Sequence, residues 1–218
     1  GCFAMQRIPQ WLINTQGEYI FNASRLWGKK PLPMDAYRLD YRILKQRYPD
    51  LKEVTWGHFR EIPAYEVIAG NRTFWIDAST TVGKELWIPE ETVAAGIRAV
   101  HGEEVRFQLE TMEQYDNYYL SRSMDLPLPV YRITVEDANR SRYYVSPQTG
   151  YVRYLNKNKV VKKWLFQGIH YLHTAWFMEH PVVWQICLWI CCLGGAFVCL
   201  TGSWLGFLYV KRIFKRHD

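Results

Sequence analysis

The chain has 218 residues, 49 % of them apolar and 22 % charged, and a net charge of +6 at neutral pH. Outside its one long apolar run lie about 180 residues, enough for one globular domain or two small ones. Lys211, Arg212, Lys215 and Arg216 supply four of the six net charges, so the basic balance reports membrane topology and gives no support for a nucleic-acid partner. Cys187, Cys191, Cys192 and Cys199 all fall in the apolar run and only Cys2 lies elsewhere, which excludes a disulfide framework in residues 3–186.

At the start, Gly1-Cys2-Phe3-Ala4-Met5 has neither a cationic n-region nor an apolar stretch long enough for an export signal. Residues 1–11 therefore read as the end of a first transmembrane helix whose beginning precedes this sequence, or as the product of cleavage. Residues 12–86 and 87–156 read as two similar units. In the first, Asp35 is expected to cap a helix carrying Ala36, Leu39, Ile43, Leu44 and Tyr48, and strands are expected at 62–67, 73–77 and 81–86. In the second, Pro89-Glu90-Glu91 opens a helix with Val93, Ile97 and Val100 as its stripe and Gly102 beyond its end. Strands follow at 128–133, 142–146 and 149–154, in the same order as those of the first unit. Alternating apolar, aromatic and β-branched positions argue for the strands, and Gly70-Asn71, Asp137-Ala138-Asn139 and Pro147-Gln148-Thr149-Gly150 supply turns. Glu110 to Ser123, rich in tyrosine, reads as a longer hairpin or a surface loop. The fold class is α+β, in tandem helix-plus-antiparallel-meander units.

Residues 160–180 read as an amphipathic helix at the membrane interface, with Val161, Trp164, Leu165, Gly168, Leu172 and Trp176 at helical spacing. Residues 182–210 follow without a charged side chain. About 20 apolar residues cross a bilayer core of roughly 30 Å, so this stretch spans it and residues 211–218 form a cationic tail on the cytoplasmic side. Everything before Pro181 is then expected outside the cytoplasm.

Several stretches together resemble the PepSY domain family in its membrane-associated form: the Pro-x-Tyr-x-Val/Ile strand, the turn Tyr143-Tyr144-Val145-Ser146-Pro147-Gln148-Thr149-Gly150, the segment Trp164-Leu165-Phe166-Gln167-Gly168-Ile169-His170, and a Gly-rich span ending Thr201-Gly202-Ser203. The resemblance covers most of the chain from about Ala36 to Arg212. It implies a bacterial inner-membrane protein with periplasmic PepSY units between spanning helices, and it allows b-haem, since some membrane members resemble ferric-siderophore reductases.

No catalytic set stands out in the soluble part, where the carboxylates are scattered and His58 and His101 stand alone. His170, His173 and His180 cluster within eleven residues just outside the span. They admit three readings: polar residues at headgroup level, ligands of a small metal ion, or haem ligation with His170 at the family's position and the opposite ligand on another helix. In the span, Cys187, Cys191, Gly195, Cys199, Gly202 and Gly206 form a stripe of small residues. Cys191, Gly195, Cys199, Gly202 and Gly206 are expected to pack another helix, the chain's own first one or a partner's, or Gly195 and Gly202 to line a slot for a flat macrocycle. Two function classes follow: an accessory or assembly subunit of a membrane complex or homo-oligomer, and an electron-transfer protein carrying haem b.

Overall fold

A computed structural model of the chain describes residues 24–121, 125–164, 172 and 174–214. They fall in two compact units, Gly1–Lys162 and Lys163–Asp218. The first is α+β with two small antiparallel sheets, and the second contains a long apolar helix.

The first unit opens with the short helix α1 (Ser24–Trp27), a 3-10 turn at Met34–Ala36 and α2 (Tyr41–Arg47). The cap of α2 is Asp40, whose Oδ1 accepts from the Arg42 N–H at 2.9 Å, and not the expected Asp35, which lies inside the 3-10 turn. Three strands follow in the order β1 (Leu51–Phe59), β2 (Ile62–Ala69) and β3 (Arg72–Asp77). Between β1 and β2, Arg60 takes a left-handed φ of 57°, and its N–H donates to the Trp27 carbonyl at 2.7 Å. The third strand expected at 81–86 is reduced to a single bridge between Ile76 and Glu85.

Helix α3 (Glu90–His101) has the predicted bounds, with Pro89 before it and Gly102 closing it at φ 104°. Gly96 sits in the middle of α3 because α1 crosses there: a Cβ on it would lie 2.8 Å from the Leu26 carbonyl oxygen. The second sheet runs β4 (Phe107–Met112), β5 (Val130–Val135), β6 (Arg142–Val145) and β7 (Val152–Leu155), each antiparallel to the next. Helix α4 (Lys157–Lys163) follows.

Strand period two gives each sheet two faces. One face of the first sheet places Tyr65, Val67 and Ile76 against Leu39 and Leu44. Its other face, with Phe59, Ala64 and Trp75, joins Val93 and Ile97 of α3 and Tyr131, Ile133, Tyr143 and Val145 of the second sheet in one core. The far face of the second sheet, with Val130, Tyr144 and Leu155, is covered by Tyr115, Tyr118 and Tyr119 of the long β4–β5 connection. The two sheets meet at the turn after β6. Gly150 has φ 65° and no side chain, and a Cβ there would collide with the Phe59 ring. The Trp27 indole N–H donates to the Gly150 carbonyl at 3.0 Å, and Trp27 meets Phe59 edge-on at 5.2 Å.

In the second unit, α5 (Ala175–Glu179) is capped by the Thr174 hydroxyl, and α6 (Pro181–Phe214) follows. The interfacial helix expected over 160–180 falls mostly outside the described residues. Its described parts are the end of α4 and α5.

Substituting Gly150 by Ala combines a left-handed φ with a ring collision and is expected to cost about 2–4 kcal/mol. The thermal midpoint of the chain in detergent would fall by roughly 5–15 °C. The exposed neighbour Gln148→Ala should stay within about 0.5 kcal/mol of wild type.

Candidate functional site

Helix α6 carries the site the sequence indicates. Pro181–Tyr209 is 29 residues long with a mean hydropathy of 2.1 and is long and apolar enough to cross a membrane. At 1.5 Å per residue it extends about 43 Å, more than the roughly 30 Å of hydrocarbon, which favours tilt. Trp184 and Trp204 lie about 30 Å apart along it, the separation of two headgroup-level aromatic belts.

At 100° per residue, Cys191, Gly195, Cys199, Gly202 and Gly206 fall within one narrow sector, while Ile186, Trp189, Leu193, Phe197, Leu200, Trp204 and Phe207 cluster on the opposite side. The helix is apolar all round but differs in shape from one side to the other. A Cβ placed on Gly195, Gly202 or Gly206 meets nothing within 4 Å, and Cys191 and Cys199 are exposed, so the small-residue face is open within the described structure. The Thr201 hydroxyl donates back to the Phe197 and Val198 carbonyls, both at 3.0 Å, and satisfies itself within the helix.

Of the three histidines before the span, His170 and His173 lie outside the described residues. His180 ends α5. Its Nδ1 is 2.9 Å from the Trp176 carbonyl, so Nδ1 carries the proton and donates, and its ring stacks on Trp176 at 4.8 Å. In the neutral ring this contact leaves the lone pair on Nε2, the form in which imidazole binds a metal. Among the described residues no three His, Cys, Asp or Glu side chains are gathered as a metal-binding group.

The α+β unit contains a polar cluster that sequence reading missed. His101, the last residue of α3, has Nε2 2.8 Å from the Tyr143 hydroxyl and Nδ1 3.7 Å from an Asp137 carboxylate oxygen. Asp137 also accepts from the Ser141 N–H at 2.7 Å and hydroxyl at 2.6 Å, which closes the β5–β6 turn. Burial lowers the His101 pKa, and the Asp137 charge opposes that shift without reversing it. Burial raises the Tyr143 phenol, which therefore stays protonated and serves as a fixed hydrogen-bonding group. A second hub is Asp116, whose carboxylate accepts from the Tyr118 and Tyr119 N–H groups, the Tyr144 hydroxyl at 2.8 Å and Arg132 at 3.3 Å. These contacts fasten the tyrosine-rich connection onto the second sheet.

Because the folded chain holds His101 with a lowered pKa, it binds fewer protons than the unfolded chain below the ordinary histidine value of about 6.5. Its contribution is fully present above that value and is lost as pH falls toward the folded-state pKa. Thermal melts between pH 7.5 and 5 should show a loss of stability that is smaller in His101→Gln, and identical slopes would reject the assignment.

No protein-family model matches the chain, and no curated protein or solved structure is detectably similar to it.

Proposed function

We propose that the chain is a membrane-anchored accessory subunit of the PepSY type, which holds a complex together in a bacterial inner membrane. In this reading α6 is the anchor, the α+β unit is periplasmic, and the basic residues from Lys211 onward keep the C-terminus cytoplasmic. Its membrane partners are lipid and a second transmembrane helix, either one of its own or a partner subunit's, seated on Cys191, Gly195, Cys199, Gly202 and Gly206. The observation that carries the reading is the pairing of a separately compact α+β unit with one apolar helix of spanning length. A helix before each antiparallel meander is the order that PepSY-like repeats require, and it supports the family resemblance. Chemical cross-linking in native membranes should give a species well above the 25.9 kDa of one chain, and a monomer alone would reject the assembly role.

A second reading, haem-linked electron transfer or a ferric-chelate reductase subunit, is favoured by the His180 contact. Nδ1–H bonded to the Trp176 carbonyl leaves Nε2 as the nitrogen that would ligate a metal. His170, His173 or His180 would hold haem b, with the opposite ligand supplied by another helix. Bound haem would supply one-electron chemistry. The chain's part is to fix the imidazole and to cover one side of it with the Trp176 ring. A pyridine haemochrome assay on the purified full chain reads this directly: a haem signal that His170→Ala or His180→Ala removes is expected, and its absence from wild type sinks the electron-transfer reading.

A further inference from the structure

The geometry points to the outer edge of β1 as the docking site for an extended acidic segment of a partner protein, added to the first sheet as a fourth strand. This rests on the assembly role proposed above and names its surface.

β1 is an edge strand, paired only with β2 among the described residues. Phe59 and Ile62 flank a two-residue turn and so form a hydrogen-bonded pair. Alternation along the register then makes Gly57–Ala64 and Thr55–Glu66 hydrogen-bonded pairs, and Val54–Val67, Trp56–Tyr65 and His58–Pro63 the others. The proline opposite His58 agrees with that phase, since it has no N–H to offer. The N–H and C=O groups of Val54 and Trp56 therefore point away from β2, and no described residue pairs with them.

Alongside this edge lies a cleft of about 370 Å³ between Tyr41 and Lys45 of α2 and Lys52, Val54 and Trp56 of β1. Tyr41 is 50 % exposed and Trp56 44 %, so two aromatic walls stand open to receive the apolar side chains of an added strand. The charges set its polar positions. Lys45 and Lys52 face the cleft against the single carboxylate of Glu53, which already accepts from the Thr55 hydroxyl at 3.3 Å. Lys52 is held in place by donating to the Gly70 carbonyl at 2.6 Å and keeps two donors for a ligand. Unpaired backbone groups on β1, the rings of Tyr41 and Trp56, and Lys45 of α2 with Lys52 of β1 together match a peptide that carries both acidic and apolar residues.

The probe is an end-blocked hexapeptide, Glu-Val-Glu-Phe-Glu-Val, with two controls: a copy N-methylated at alternate amides and a copy with Lys in place of Glu. Hydrogen exchange at the Val54 and Trp56 amides of the full chain in detergent is the readout. At peptide concentrations ten times Kd the acidic peptide should slow exchange about tenfold, and neither control should. Val54→Pro removes one outward donor at an edge position that tolerates proline and should weaken binding about 2–10-fold. The double variant Lys45→Glu, Lys52→Glu should transfer the preference to the lysine peptide. No slowing by the acidic peptide, equal slowing by the N-methylated copy, or an unchanged preference after charge reversal overturns the proposal. A cross-linked complex that persists in the charge-reversed chain would reject this surface and leave the assembly role standing, whereas a wild-type chain that never cross-links would reject the role itself.

Discussion

The joining of the two sheets of the α+β unit depends on one close approach, that of the Phe59 ring to the backbone of Gly150. The end of β1 reaches the turn after β6 only because that turn has no Cβ at its closest point. Once Phe59 is seated, Trp27 packs edge-on against it and bonds to the Gly150 carbonyl, and the Trp27 carbonyl in turn receives the Arg60 N–H. The Ile88 N–H reaches the Pro147 carbonyl of the same turn at 2.8 Å. Segments far apart in the chain therefore converge on five residues, 146–150. A three-stranded and a four-stranded sheet would each leave an apolar face open, and this junction closes both faces against each other.

With no disulfide to restrain it, the unit fastens its loops with phenols. The hydroxyls of Tyr37, Tyr65, Tyr119 and Tyr131 donate to the carbonyls of Gly57, Leu39, Pro127 and Ile88. Burial pushes Tyr65 up to about 12, so at any physiological pH it remains a neutral donor. A buried tyrosine contributes ring area to the core, and its hydroxyl end satisfies a backbone carbonyl that would otherwise be costly to bury. The high tyrosine content thus has a structural explanation and needs no catalytic one.

Five strands were legible in the sequence, the edge strands β3 and β7 among them, whereas the first strand of each sheet, β1 and β4, was not. β2, β3, β5, β6 and β7 are rich in apolar, aromatic and β-branched residues because both faces of their sheets are covered. β1 has Lys52, Glu53 and Thr55 on an exposed edge, and a register irregularity between Leu51 and Glu53 breaks its period. The segment 81–86 alternates well yet forms one bridge, since Gly83 at φ 61° turns the chain over Leu39 before it can pair. Helix α3 was legible to the residue from Pro89 and Gly102, whereas α2 is capped by Asp40 and not Asp35 because 38–39 first bond to the Ala78 carbonyl and set Leu39 against the first sheet. His101 looked solitary for a similar reason: its partners Asp137 and Tyr143 lie 36 and 42 positions away, and no motif spacing links them. The α2–β1 cleft likewise draws on two elements and leaves no local signature.

Hydrophobicity cannot select a face on α6, because every face of the span is apolar. Lipid tails are as apolar as leucine, so two helices in a bilayer gain little from excluding solvent and associate through close packing instead. Shape is then the only property that distinguishes one side from another. In a bilayer the bulky side, from Ile186 to Phe207, would interdigitate well with disordered acyl chains. The side with Gly195, Gly202 and Gly206 offers a groove in which a rigid helix backbone makes contacts that a lipid tail would have to lose conformational freedom to match. If that groove takes a helix in a membrane, α6 would also select which neighbour the α+β unit meets. Specificity in the membrane and specificity at β1 would then act on the same partner, and two weak contacts confined to one membrane would suffice where either alone would not.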